Sequence, residues 1–311
     1  MAVTAATKTG DFSGFIQPDI AEMYFDEVRK RSLVQQAARQ VPLGYQGAEV
    51  PVITSKPTAS WVAEGDQKPA TKGTMTLKTL TPKKIAAIAV VSAEVVRANP
   101  GDYVNIFRED IAEAFALSFD SAALHGTSTP FGASNYIGAT TKTYGIGTAT
   151  ATNGGIFADI NSGLSLLVND SRRLNGFVLD ATLEPDFNSA VDNTGRPIFV
   201  DSPLVDNAGP VRSGRLLGRP AFIGEDVMEA VPEAADTAYA VGFGGDWTKS
   251  VWGVVGGITY DVSTQASVTI NGSLVSLFEN NLVAIRAEAE FGWLCNDPEE
   301  YVAFTKTTPA S

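Results

Sequence analysis

The sequence predicts an α+β fold with one long helix, a body of strands and shorter helices, and a two-stranded arm standing clear of that body. Three patterns predict it. Residues 102–124 carry the strongest helical periodicity in the chain. Residues 283–291 alternate apolar and charged side chains with period two. Residues 48–92 hold β-prone runs around a polar, turn-rich stretch, which is the signature of a long hairpin.

Composition sets the outer limits. The 311 residues suggest about two domains, at roughly 100–200 residues each. Hydrophobic residues make up 44% and charged residues 19%, enough apolar material for a full core and too much for wholesale disorder. Lys and Arg total 23 against 35 Asp and Glu, a net charge of −12, so a broad basic surface for nucleic acid is not expected. The single cysteine, Cys295, cannot form an intrachain disulfide, and the single histidine, His125, cannot build a His-based zinc site alone. No metal or cofactor is expected. The longest relevant apolar run, residues 85–91, falls far short of the roughly 18 residues of a membrane span. The first fifteen residues lack a basic start followed by an apolar stretch, so no secretory signal is visible and a reducing cytoplasm is the expected setting.

Residues 1–18, rich in Ala, Thr, Gly and Ser, read as an extended arm ending at Pro18. Asp19 can cap a helix on which Ile20, Met23, Tyr24, Glu27 and Val28 share a face, stopping between Arg31 and Arg39. Glu49 to Ile53 signal a strand whose Pro51 suggests an edge. Trp61-Val62 follow, then a polar tip over 64–73, then the alternating residues 75–80 and the apolar run 85–91. Such a hairpin is marginal alone in water, so something should cover it.

Asp102 or a neighbour is placed to cap the long helix and Gly126 to stop it, with Phe107, Ile111, Ala114, Phe115, Ser118 and Ala122 as its apolar stripe. Residues 126–155, mostly Gly, Ser, Thr and Ala, form the clearest boundary and should run along a surface or a partner. A second block begins with a helix on which Phe157, Ile160, Leu164, Leu167, Val168 and Leu174 are apolar. It continues through a strand at 177–180, a short helix near 183–191, a loop-rich stretch at 192–214, and strands near 222–223, 239–243 and 258–262. In the closing strand Val283, Ile285, Ala287, Ala289 and Phe291 take one face and Arg286, Glu288 and Glu290 the other.

No constellation of reactive groups outweighs its structural explanation. There is no nucleophile elbow and no phosphate loop. Gly242-Phe243-Gly244-Gly245-Asp246 follows a strand but no helix pattern comes after it, so a turn is the better reading than a phosphate cradle. Glu288 and Glu290 could in principle do acid–base work, but beside Arg286 they read as a solvated or intersubunit charged face. Cys295 reads as a small core residue, and His125 as an ordinary donor to terminal carbonyls at a helix end. An enzyme of the carbohydrate-active or acyl-transfer kind is therefore disfavoured.

Charge geography gives the positive signal. Between Glu49 and Lys84 stand six lysines, Lys56, Lys68, Lys72, Lys78, Lys83 and Lys84, against three acids, Glu49, Glu64 and Asp66. The arm is thus about +3 and the rest of the chain about −15. A basic, poorly buried hairpin on an acidic body suggests that the arm lies on another copy of the body, although lysines also protect hairpin edges against aggregation.

Trp61-Val62-Ala63-Glu64-Gly65, Lys83-Lys84, Val90-Val91-Ser92-Ala93-Glu94-Val95-Val96, the helix ending Asp120-Ser121-Ala122-Ala123-Leu124-His125-Gly126, Pro130-Phe131-Gly132 and the closing strand with Asn296-Asp297-Pro298-Glu299-Glu300-Tyr301-Val302 follow an order that resembles the major capsid proteins of tailed bacteriophages, with the Hong Kong 97-like fold. The resemblance covers essentially the whole chain and rests on order and spacing rather than on one motif. It implies an N-terminal arm and first helix at 1–44, an extended loop at 45–92, a peripheral domain with its spine helix at 93–154, an axial domain at 155–268, and peripheral-domain strands at 269–311. It also implies pentamers and hexamers tiling an icosahedral shell around double-stranded DNA, bound without sequence specificity, with the virion capsid as location and the host bacterial cytoplasm as the place of assembly. Portal, a separate scaffolding protein and decoration protein are the further implied partners. The expected intersubunit contacts of the loop are Trp61, Glu64, Lys68, Lys72, Met75 and Lys78, and the expected peripheral charged face is Arg286, Glu288 and Glu290. Some relatives crosslink a loop lysine to an asparagine; Lys68, Lys72 and Asn296 are the corresponding candidates, without a local motif to fix their geometry. An encapsulin-like nanocompartment shell loading a cargo enzyme is the alternative within the same fold.

Overall fold

The computed structural model describes residues 32–64, 66–94, 103–190, 199–201, 211–270 and 272–308. The expected arm, the helix from Asp19, the Asp102 cap and most of the loop-rich 192–214 lie outside them. In chain order the elements are α1 (Leu33–Ala37), β1 (Arg39–Gln40), β2 (Ala48–Ser55), β3 (Thr74–Leu80), β4 (Lys83–Ser92), α2 (Tyr103–Leu124), β5 (Thr143–Gly145), α3 (Gly155–Asn169), β6 (Gly176–Asp180), α4 (Glu184–Ser189), β7 (Phe199–Asp201), β8 (Val211–Leu216), β9 (Arg219–Gly224), β10 (Ala238–Gly245), β11 (Ser250–Ser263), β12 (Ser267–Ile270), β13 (Ser273–Ser276), β14 (Leu282–Cys295) and β15 (Tyr301–Thr307). The fold is α+β. A four-stranded sheet runs β1-β11-β14-β4, and a seven-stranded sheet runs β5-β15-β10-β6-β9-β8-β7. Two ribbons, β2-β3 and β12-β13, stand as separate pairs. Among the described residues no helix is long and apolar enough to cross a membrane.

α2 packs against the four-stranded sheet through ring contacts. Phe119 meets Phe131, Trp252, Phe291 and Trp293 at centroid distances of 5.4–6.4 Å, the Trp293 pair at a right angle. The buried face runs through Ile111, Ala112, Phe115, Ala116, Phe119 and Ala123. Ala114 and Ser118, expected on that stripe, are exposed. The reason is physical: the bulky side chains at 111, 115 and 119 set the rotation, and the neighbouring alanines let the backbone approach. The helix stops where expected. Gly126 has φ +70°, and an added Cβ would lie 2.6 Å from the Tyr136 ring.

A second core lies between α3 and the seven-stranded sheet, where Ile160 and Leu167 meet Phe177, Leu179 and Phe304. Phe157 and Val168, expected on the same helix face, point outward. The glycines of 242–245 are strand residues of β10 rather than a turn. They are small because neighbours press on them: a Cβ on Gly242 would lie 2.6 Å from the Leu179 side chain, and one on Gly245 would lie 2.4 Å from the Tyr301 ring.

Three boundaries differ from expectation. Lys83–Ser92, expected within the 45–92 loop, is hydrogen-bonded as β4 along ten residues of β14. β11, expected with the 155–268 block, joins the four-stranded sheet beside β14. β15, expected with β14, lies instead between β10 and β5 in the seven-stranded sheet. The Gly/Ser/Thr stretch at 126–155 runs along its own subunit. Asn135 donates to the carbonyls of Phe131 and Trp293 and accepts from Cys295 N–H at 2.7 Å. The buried carboxylate of Asp159 accepts the backbone N–H groups of Gly147, Thr148 and Ala149.

Candidate assembly surfaces

The β2–β3 ribbon has two unlike faces, set by its register. Val50 faces Lys78 and Ala48 faces Leu80 on one side; Ile53 faces Met75 and Pro51 faces Leu77 on the other. The first face is rooted in the body. Leu80 is 0% exposed and, with Val50, packs among Leu43, Val251, Val255 and Leu294. Lys78 donates from Nζ to the backbone carbonyl of Asn296 at 2.5 Å. Within the subunit this ammonium folds back, because the root of the ribbon lies against the end of β14. The contact also brings a lysine to Asn296, but through the backbone oxygen, and the lysine is neither Lys68 nor Lys72.

The second face is apolar and open. Pro51, Ile53, Met75 and Leu77 are exposed along its length. Beyond Ser55 and Thr74, whose hydroxyls lie 2.7 Å apart, the described residues between 56 and 73 form no strand. There Trp61 is fully exposed, and Glu64, Lys68 and Lys72 are exposed as well. Contiguous apolar exposure of this kind makes the ribbon a candidate interaction surface.

On β14 the burial pattern alternates. From 285 to 291 the odd-numbered residues are buried and the even-numbered ones are not. The charged side extends across three strands. Arg286 donates to Asp261 on β11 at 2.5 Å and lies 3.4 Å from Glu288, and Lys84 on β4 reaches Glu288 at 3.0 Å. The Asp261 hydrogen bond, with Glu288 next in effect, holds the Arg286 guanidinium above its ordinary pKa. Glu290 sits opposite Lys84 in register. Lys84 and Asp261 were not assigned to this face from sequence; their signal is that residues directly across from a charged strand face inherit it.

Cys295 is buried, and burial pushes its thiol up to about 11. His125 Nε2 lies 2.8 Å from the carbonyl of Val227 rather than from its own helix's carbonyls, and burial lowers its pKa. Among the described residues no three His, Cys, Asp or Glu side chains converge as a metal set. One group escaped sequence reading. Asp120, fully buried on α2, accepts from Ser32 Oγ at 2.6 Å and from Leu33 N–H at 2.7 Å. Burial pushes its carboxyl up to about 7 against the opposing pull of those two donors. It fixes α1 to α2, with Ser32 also capping α1 through Gln35 N–H. The pattern Ser32-x-x-Gln35 is a capping-box signature that could have found α1.

A family model described as the phage capsid family matches residues 13–305. The chain is 43% identical over 304 residues to a protein named probable major capsid protein of Mycobacterium phage D29, covering 96% of this chain and 92% of that one. It is 40% identical over 311 residues to the like-named protein of Mycobacterium phage L5, with the same coverage. A solved structure from Mycobacterium phage Cain superposes with a TM-score of 0.69 at 20% identity, covering 90% of this chain and 91% of that one.

Proposed function

The chain belongs to the phage capsid family, and from that membership we propose that it is the major capsid protein of a tailed double-stranded DNA bacteriophage, whose copies build the closed icosahedral shell around the genome. The observation that carries the reading is 43% identity over 96% of the chain to a protein named as a probable major capsid protein. The same relationship favours a genome-enclosing shell over an encapsulin-like compartment. The protein acts by assembly rather than by catalysis.

In this reading the β2–β3 ribbon is the extended loop of a Hong Kong 97-like subunit, α2 is the spine helix, and the sheet of β1, β11, β14 and β4 belongs to the peripheral domain. The block around α3 and the seven-stranded sheet is the axial domain, met by its copies around five- and six-fold axes. The open face of the ribbon, with Trp61, Glu64, Lys68, Lys72 and Met75, lies on a neighbouring copy, and the β14 face with Arg286, Glu288 and Glu290 is a second contact. Portal, scaffolding and decoration proteins are the further partners, assembly occurs in the host cytoplasm, and the acidic net charge lets the shell enclose DNA without gripping it. Electron microscopy of the purified protein, alone and with portal and scaffold supplied, tests the proposal: closed particles are expected, and nuclease-protected DNA inside them separates a capsid from a cargo compartment. A protein that sediments only as a monomer under all these conditions overturns it.

A further inference from the structure

Asp120 is an ionisable group buried without a counter-charge. It lies on α2 at 4% exposure, and the groups acting on it are Ser32 Oγ and the backbone N–H groups of Leu33 and Val34, all at the start of α1. No charged side chain from any element packed around it bears on it. We propose that α1 is a pH-operated latch, docked on α2 while the Asp120 carboxyl carries its proton and released when that carboxyl ionises. The device lies within one subunit, so it goes beyond the capsid reading and does not depend on it.

Three physical arguments carry it. The first is the contact itself. At 2.6 Å the hydrogen between Asp120 Oδ1 and Ser32 Oγ can belong to either oxygen, so a protonated carboxyl keeps the contact. An ionised carboxyl in the same place has lost its hydration and gains no cation in exchange. Burial raises the docked carboxyl from 3.8 to about 7, and release into water returns it to the ordinary carboxylate range. Docking is therefore at full strength below about pH 4, weakens as pH rises, and levels off above about 7. The second is how lightly α1 is otherwise held. Its five residues are too few to persist as a helix in water. Leu33, lying over Gly224, and Val34 give it an apolar grip. Against that grip, the buried side-chain amide of Gln35 has no hydrogen-bond partner among the described residues, and release would rehydrate it. The third is the boundary. Immediately after α1, Arg39 and Gln40 pair with Val251 and Trp252 of β11, and Trp252 Nε1 donates to the Ala38 carbonyl. These backbone and indole hydrogen bonds do not respond to pH in this range. Release therefore stops at Ala38 and shifts the point at which residues 1–31 join the body.

Thiol labelling of the full-length subunit tests the latch. Cys295 is the one native thiol and is buried at the end of β14, so it reports opening of the body. Val34 is 0% exposed, and Val34→Cys adds a second thiol that is reached only when α1 comes away. Dithiodipyridine reacts with thiols at acid and neutral pH, and each rate is divided by that of a free thiol at the same pH. Position 34 should react about a hundredfold faster at pH 8 than at pH 5, while Cys295 stays unreactive at both. With Asp120→Asn in the same background, position 34 should react slowly at both. Hydrogen exchange of the Leu33–Ala37 amides in the unsubstituted chain, corrected for the intrinsic effect of pH, should rise in the same way, which keeps the test open if Val34→Cys disturbs folding. Labelling or exchange that does not change between the two pH values overturns the latch, as does an equal change with Asn at position 120. Cys295 reacting in step with position 34 also overturns it, since the whole subunit then opens. None of these results bears on whether the subunits assemble into a shell, so the capsid reading stands or falls separately.

Discussion

The helix α2 and the ribbon β2–β3 are both long, and they are held in opposite ways. α2 spans about 33 Å at 1.5 Å per residue, and from Ile111 to Leu124 its inner face is covered by rings and alanines of its own subunit. The ribbon is secured only at its root, by Val50, Leu80 and the Lys78 hydrogen bond, while Ile53, Met75, Leu77 and Trp61 face water. Hydrophobic side chains are spent inside the subunit in one element and held available outside it in the other. The contrast separates side chains that hold the subunit's own core from side chains that its core leaves in water.

Substitutions can sharpen or break that contrast. The largest loss is expected at Phe119→Ala, which removes the ring at the centre of four aromatic contacts and should cost the subunit about 3–5 kcal/mol in urea unfolding. Next comes Asp120. Its carboxyl is raised from 3.8 to about 7 in the folded subunit, so the native state holds its proton more tightly than the unfolded chain. The associated stability is fully present below pH 4 and is lost as pH rises through about 7, by up to about 4 kcal/mol. Asp120→Asn, which keeps one acceptor and one donor toward Leu33 and Ser32, should flatten the difference in unfolding midpoint between pH 4 and 7. A pH dependence identical to wild type would mean that the carboxyl stays ionised in its pocket. At the ribbon's root, Leu80→Ala should cost about 3 kcal/mol of subunit stability. The smallest effect belongs to the tip: removal of residues 64–73 should shift subunit stability by no more than about 0.5 kcal/mol while abolishing particle formation. Loss of cooperative unfolding in that deletion would place the tip in the core and erase the contrast.

Much of this was legible in the chain, for identifiable reasons. β14 was readable because period-two alternation survives wherever one sheet face is buried, and Arg286 to Phe291 obey it. α2 was readable in extent, but its rotation was missed because Ala112, Ala116 and Ala123 carry little hydrophobic signal against Ala114 and Ser118. The 242–245 glycines misled because glycine marks either backbone freedom or close approach, and only the Leu179 and Tyr301 side chains distinguish the two. Lys78 was grouped with Lys68 and Lys72 by charge alone, whereas its carbonyl partner lies 218 residues away in sequence. Asp120 was hidden for the same reason, since its donors at Ser32 and Leu33 are nearly ninety positions distant.

The position of β15 has a consequence for the timing of synthesis. This strand lies between β10 and β5, and its alternate residues enter both large cores, Tyr301 and Ala303 on one side and Val302 and Phe304 on the other. A ribosome makes the ribbon, α2 and β10 long before it makes β15. Until residue 307 is available, β10 lacks one neighbour and β5 has none, and the space beside Gly245 that the Tyr301 ring occupies stays unfilled. A nascent chain therefore displays its reaching arm before its body is finished, and only translation through β15 completes both cores.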